Sequence, residues 1–513
     1  MKKLSFLFLL LACAGALNAQ RYLDQVFSQA SKTTRIYGSN FTALTLPVTG
    51  HTMRQPLVMN VYEPTGDTEA ERPLIIYLHT GNLLPYPQNG ACGGTINDSA
   101  TVEIATRLAK MGYVVAVADY RLGWNPLAND PTTGELTRRS TLINAAYRGV
   151  QDIRTCIRYF KRNFAIGANE FRVDTSKIVV WGQGTGGYLS LAAASLDAYS
   201  EIITTSIPHK FEIPAPPPTN WIPMVLEAYN GNIYGTSGPG ISDAFFNQIT
   251  GGAFPIGDTL AVSNHPGYSS DFHLAVNMGG ALGDSLWIED GGMPIISFHN
   301  PNDPLAPCGT DIFIVPTTGD PVLEVSGSCD VQSIQKKFGN NNIFNGIPDN
   351  VDPYGNVADS RNGGRNGLFL LPAAPDASLW DWFAAPMSPA GGTCNTNSSI
   401  ARAYIDTIVG YFAPRACLAL GLGCGFTDTK ELTQFEAGVS VAPVPATDAI
   451  NFSAKEMIRH INIYDMNGRL VKSQMSVNAE NFTMQRGTLQ NGLYIAEIRF
   501  EQGFVKRKIV FSN

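Results

Sequence analysis

Charge is scarce in this chain: Asp, Glu, Lys and Arg make up 15% of its 513 residues, and the formal net charge is −7. No lysine- and arginine-dense run of useful length occurs, which argues against nucleic acid as a partner. Histidine is scarcer still, at seven residues. No C-x-x-C or paired His/Cys spacing suggests a metal site. There is no phosphate loop of the Walker type, no internal repeat and no amphipathic membrane-surface helix. Beyond the first twenty residues no apolar run is long enough to span a bilayer as a helix. No cofactor and no metal are expected.

What is present is a globular balance, 44% apolar residues with 50 glycines and 32 prolines, which suggests long loops on an α/β frame. Residues 1–19 read as a signal peptide, with Lys2 and Lys3 ahead of the apolar stretch Leu4 to Ala12 and a small-residue cleavage site at Leu17-Asn18-Ala19. A lipoprotein signal at Leu10-Leu11-Ala12-Cys13 is the competing reading; the bulky Leu11 fits it poorly. After cleavage seven cysteines remain, and export favours disulfides. Loop placement suggests Cys308–Cys329 and Cys417–Cys424. Cys156, on the apolar side of a helix over 147–160, is the candidate buried free thiol.

Along the chain, strand-like and helical stretches alternate. Residues 21–67 are strand-like, and Arg72 to Leu78 is a continuous apolar run, the pattern of a parallel strand covered on both faces. Helical spacing follows over 100–110, closed by Gly112. Then come a strand over 113–119, a helix over 142–162 and a strand beginning at Lys177. Residues 200–268 form a long insertion rich in Pro, Gly, Asn and aromatics. Strands resume at 272–278 and 293–299, a loop-rich region covers 308–366, and a last strand (367–371) and helix (400–412) follow. Such alternation predicts an α/β fold with a mostly parallel, doubly wound sheet. Residues 425–438 read as a linker, and short alternating strands over 439–513, with a hairpin signal at Asn467-Gly468, predict a small all-β sandwich.

The stretch Lys177-Ile178-Val179-Val180-Trp181-Gly182-Gln183-Gly184-Thr185-Gly186-Gly187-Tyr188 is a strand, a sharp turn and a helix start. Gly182-x-Gly184-x-x-Gly187 fits the dinucleotide fingerprint, but it lies deep in the chain and lacks an acidic residue about 20 positions on. Tight strand-to-helix packing is the preferred reading of these glycines. The aromatics in 200–270 and in Leu379-Trp380-Asp381-Trp382-Phe383 are read as packing or as the lining of a site for an unknown small-molecule or polymer ligand.

On these residues the region 55–415 resembles the α/β-hydrolase superfamily, in particular secreted carboxylesterase-like proteins. The matching features, in order, are His79-Thr80-Gly81-Asn82, Asp119-Tyr120-Arg121-Leu122-Gly123, the turn at Gly184 and Asp303 after a late strand. In that family G-x-S-x-G places a serine on the turn; here its position holds Gly184, a vacant nucleophile position. Thr185 follows, where the family uses the backbone N–H as an oxyanion donor. As a replacement nucleophile Thr185 is disfavoured, since its hydroxyl is expected to point away from the nucleophile position. Thr80 and Gly81 fall in the oxyanion loop, where Thr80 hinders close approach more than glycine would. Asp303 matches the acid position and is equally a turn aspartate. The base is expected near 372–382, and that stretch has no histidine. His79 and His299 read as structural. The resemblance thus implies a carboxylesterase-like scaffold whose chemistry is absent or altered, hence a binding role; an ester hydrolase using non-standard residues is the alternative.

Residues 439–513 resemble the type A sorting domain of type IX secretion in Bacteroidetes. Ala442-Pro443-Val444-Pro445-Ala446, Ile463-Tyr464-Asp465-Met466-Asn467-Gly468-Arg469-Leu470-Val471, Gly492-Leu493-Tyr494-Ile495 and Lys506 carry the likeness, with Val444 where the family more often has Asn. The resemblance implies the type IX machinery as partner, passage through the periplasm, and release or attachment at the outer surface.

Overall fold

The computed structural model describes residues 21–513 apart from 87, 92, 216–219, 315–318, 349–350, 375–376, 383–393, 396, 425–429, 432–437, 467–469, 475–476, 478, 501–502 and 513. The signal-peptide reading, Phe383, the hairpin turn at Asn467-Gly468 and nearly all of the linker fall outside those residues. The chain divides into two compact units, the first ending at Cys424 and the second starting at Gly425.

The first unit is built on an eight-stranded sheet. Its strands are β1 (Ala30–Thr42), β2 (Met53–Pro64), β3 (Arg72–Leu78), β4 (Val114–Ala118), β5 (Val173–Gln183), β6 (Leu274–Met278), β7 (Ile295–His299) and β8 (Leu368–Leu370). Their spatial order is β1-β2-β4-β3-β5-β6-β7-β8. β2 runs antiparallel to both its neighbours, and every pair from β4 to β8 is parallel. This is the sheet of the α/β-hydrolase fold.

Both faces are covered, which explains the continuous apolar runs. In β3 all seven residues are buried. Leu74, Ile76 and Leu78 join one core, and Ile75 and Tyr77 join the other. β5 divides the same way, Ile178 and Val180 against Val179 and Trp181, as the period-2 pleat requires. Helices α1 (Ser99–Lys110), α2 (Gly134–Ile166), α3 (Thr185–Ser195), α4 (Ser328–Phe338) and α5 (Ser398–Ala419) connect and cover the strands. The core holding α2 and α3 lies on one face, and the core holding α1 and α5 on the other. α2 is longer at both ends than the 142–162 expected.

The region 308–366, expected to be loop-rich, is more ordered than that. Strands Thr310–Ile314 and Pro321–Gly327 form an antiparallel hairpin, and α4 follows directly. The described residues of the insertion 200–268 include short helices and two small antiparallel strand pairs, Glu212–Ala215 with Asn220–Pro223 and Gly240–Ile241 with Thr259–Ala261. Disulfides join Cys308 to Cys329 and Cys417 to Cys424, as loop placement suggests. Cys156 is a free thiol, fully buried in α2, with Sγ 3.8 Å from the Met59 sulfur. No helix among the described residues is long and apolar enough to cross a membrane. None of their His, Cys, Asp and Glu side chains group so as to hold a metal ion.

The second unit is all β. A five-stranded sheet includes Gly492–Arg499 paired with Gly503–Phe511 and with His460–Tyr464. A three-stranded sheet is built around Ala449–Ile458. Ile450, Phe452, Ile461, Ile463, Ala496, Ile498 and Ile509 form its core.

Candidate functional site

The site starts at the turn between β5 and α3. Gly184 precedes the helix at φ 52°, ψ −115°, a left-handed conformation that strains any residue bearing a Cβ. Its neighbours are glycines for a different reason, which is collision. A Cβ on Gly182 would overlap the Gly186 carbonyl oxygen, and one on Gly186 would overlap the Leu78 carbonyl oxygen. One on Gly187 would strike Asn277 Oδ1. That atom is already engaged, accepting from the Gly280 N–H at 2.8 Å. The glycines therefore let α3 pack directly on β3 and β6, which accounts for the fingerprint-like spacing without a nucleotide.

Gly184 itself faces the loop after β3. A Cβ placed there would collide with Thr80 Oγ1 and stand 3.0 Å from Thr80 Cβ. The hydroxyl of Thr80 thus fills the space next to the turn where a side chain at 184 would begin. Thr185 is engaged by the same loop: its Oγ1 accepts a hydrogen bond from the Asn82 N–H at 2.6 Å, a first-turn hydroxyl offering an acceptor to a donor of the strained loop beside it. The loop is indeed strained, since Gly81, Asn82 and Leu83 have φ of 126°, 54° and 54°. It is held by Asn82 Nδ2 on the Asn89 carbonyl at 2.7 Å and by Trp124 Nε1 on the Asn82 carbonyl at 2.7 Å.

His79 anchors this loop from below. Nδ1 meets the Thr80 carbonyl at 2.5 Å and Nε2 meets Asp119 at 3.2 Å. Tyr120 stacks on the ring at 4.6 Å and its hydroxyl donates to the His79 carbonyl. Both ring nitrogens are thus engaged by acceptors of this segment. Burial alone would lower its pKa, but the Asp119 carboxylate outweighs that and the pKa is raised. Arg121 and Asp152, both fully buried, tie the same segment to α2 through bonds of 2.8 to 3.0 Å.

Asp303 follows β7. Its Oδ1 accepts from the N–H groups of Leu305 and Ala306 at 2.7 and 3.0 Å, the turn role expected of it. Burial pushes the carboxyl up to about 7, against the pull of those two N–H groups. No histidine hydrogen-bonds it among the described residues. His299 instead bridges Ser328 Oγ at 2.9 Å and the Ala306 carbonyl at 3.1 Å, and burial drives its pKa down to about 4. After β8, where a base would be sought, Ala377, Ser378 and Trp380 face the site. Below the turn, Gln183 links Tyr77 (2.6 Å) to Asp381 (2.7 Å), a buried carboxyl also raised to about 7 by burial and by Asp98.

Thr80, Gly184, Thr185 and Asp303 share one cavity of about 140 Å³; Gly81 is not among its lining residues. Most of the lining is apolar: Leu142, Ile143 and Val150 from α2, Phe211 and Val225 from the insertion, Phe313 and Val325 from the hairpin. Among the described residues, Asp303 is its sole acidic or basic lining residue. Tyr188, Asn82 and Trp380 complete the polar end. Tyr188 was legible as the residue that follows the glycine cluster, one turn into α3, whereas the Thr80–Gly184 contact joins positions that no local pattern connects.

Residues 440–512 match the family model of the secretion system C-terminal sorting domain. Among solved structures, an esterase of the planctomycete Thermogutta terrifontis with propionate bound is 14% identical, with 74% of this chain and 92% of that one covered and a TM-score of 0.34. Brefeldin A esterase, a bacterial homologue of human hormone sensitive lipase, is 20% identical over 33% of this chain and 35% of that one, with a TM-score of 0.21. A hyperthermophilic esterase from the archaeon Pyrobaculum calidifontis is 22% identical over 34% and 40%, with a TM-score of 0.20. No curated protein matches the chain. Strand order and the matched tail lead to one conclusion: this is an exported protein, secreted or held at the outer surface, in which a domain of α/β-hydrolase fold precedes a type IX secretion sorting domain.

Proposed function

We propose that residues 21–424 bind a small apolar molecule without hydrolysing it, while residues 439–513 serve the type IX machinery. The observation that carries this is the Thr80 hydroxyl against Gly184, in the space a nucleophile's Cβ would need. Acyl transfer requires a nucleophile activated by a base and donors for the oxyanion. Here Gly184 supplies no nucleophile. The Asn82 N–H, one candidate donor, is taken by Thr185 Oγ1. Asp303, in the acid position, has no imidazole to orient. What remains is a shaped apolar cavity with a few polar groups at one end, the usual make-up of a ligand site.

The test is incubation of the purified protein with a p-nitrophenyl acyl ester and with a fluorophosphonate probe. Neither turnover nor labelling is expected. Labelling of one hydroxyl, or turnover abolished by Asp303→Asn, would overturn the binding reading in favour of an ester hydrolase with non-standard residues.

A further inference from the structure

The polar end of the cavity holds more hydrogen-bond donors than its own side chains can use. The hydroxyl of Tyr188 and Nε1 of Trp380 are buried without a partner among the described residues, and both side chains line the cavity. Trp380 is 1% exposed. A Cβ built on Gly279 would lie 3.2 Å from Cη2 of Trp380 and 3.6 Å from Oδ2 of Asp303, so ring edge and carboxylate flank one point of the wall. Tyr188, besides being buried, feels the Asp303 charge, which also raises its phenol. Thr185 N–H, first in α3, has no acceptor within its helix. Leaving buried donors unsatisfied is costly, and an occupant relieves it.

The occupant's chemistry follows from a count. Three donors and one carboxyl exceed what an alcohol can serve, because a hydroxyl has two lone pairs and one proton. A carboxylic acid has two oxygens with four lone pairs and the same single proton. The start of an eleven-residue helix favours one negative charge there. Among the described residues, no lysine or arginine lines the cavity to support two. Size follows from the cavity itself, since about 140 Å³ is close to the ~150 Å³ that admits a benzene ring.

We propose that the cavity binds an aliphatic carboxylic acid of roughly six to eight carbons, its head group against Tyr188, Trp380 and Asp303 and one proton shared with the Asp303 carboxyl. This rests on the binding reading above. Among the described residues, the other groups that meet Asp303 are Tyr188 on α3 and the Leu305 and Ala306 N–H groups of its own loop. None supplies a competing charge at neutral pH. With the free carboxyl titrating at about 7, binding of the anion above that pH takes up a proton.

The experiment is calorimetric titration of the full chain with octanoate, 1-octanol and methyl octanoate at pH 6 and pH 8, in two buffers of different ionisation enthalpy. At pH 6 octanoate is expected to bind about tenfold tighter than the other two. Its Kd should rise about tenfold from pH 6 to pH 8, with proton uptake approaching one per site. Asp303→Asn, nearly isosteric, should hold Kd constant within about twofold across that range and abolish uptake. Tyr188→Phe should weaken octanoate about tenfold and keep the pH slope. Equal or tighter binding of 1-octanol or methyl octanoate, or no proton uptake, would overturn the proposal and leave the binding reading standing. Cleavage of methyl octanoate, or no binding of any of the three, would overturn both.

Discussion

The turn at Gly184 and the segment after β8 border the same cavity, and they are governed by different demands. At the turn, Gly182, Gly186 and Gly187 answer to collisions with backbone or with an engaged Asn277 side chain. Each is fixed by the need to bring α3 onto the sheet. After β8, Ala377, Ser378 and Trp380 face the cavity, and nothing in the sheet's packing dictates a histidine there. A fold's backbone requirements and its chemistry are separable, and on the binding reading proposed above this domain meets the first without the residues of the second.

The sharpest way to break that contrast is at the turn. Gly182→Ala should cost about 4 kcal/mol or more, since the new methyl meets backbone that cannot move aside. A denaturant midpoint shifted by much less would mean the turn is looser than its contacts indicate.

Next in size is the pH dependence of stability set by Asp381. Burial holds this carboxyl at about 7, above its ordinary 3.8, so the folded chain binds the proton more tightly than the unfolded one. Its contribution is full below about pH 4, declines as pH rises to about 7 and is flat above. Asp381→Asn should flatten that slope by up to about 4 kcal/mol, read from urea melts at pH 4 and pH 7.

Gly184→Ser comes third, at about 1–3 kcal/mol, from positive φ and from the collision with Thr80. Adding Thr80→Gly should recover part of the loss. Neither variant should cleave an acyl ester, because no imidazole stands beside Asp303; turnover by the double variant would show that the segment after β8 is not what limits chemistry. Smallest is Thr185→Val, which strands the Asn82 N–H and should cost about 1 kcal/mol, seen as a small drop in melting temperature.

Much of this was legible in the sequence, for reasons that are local. The all-apolar run of β3 announces a strand covered on both faces. The glycine cluster after β5 marks a tight turn, and Asp303 lies in an Asn-Pro-Asn-Asp-Pro setting that predicts its turn role. The hairpin and α4 in 308–366 were not read, because the first hairpin strand is mostly exposed and the helix is largely polar. The spacing Val331, Ile334, Phe338 was the available signal. The Thr80–Gly184 and Thr185–Asn82 contacts were hidden because they join elements only the folded sheet brings together. The raised carboxyls of Asp303 and Asp381 likewise follow from burial, which a single sequence does not display.

Cys156 has one more consequence. An odd thiol in an exported chain is a hazard, since it can attack any disulfide it reaches. Here it is sealed between α2 and β2, and burial pushes its pKa far above the range in which thiolate forms. The protection exists only after α2 has docked on the sheet. The order of events during export therefore matters: the core around Met59 must close before oxidation of the loops finishes, or Cys156 competes for the cysteines of the Cys308–Cys329 and Cys417–Cys424 bridges.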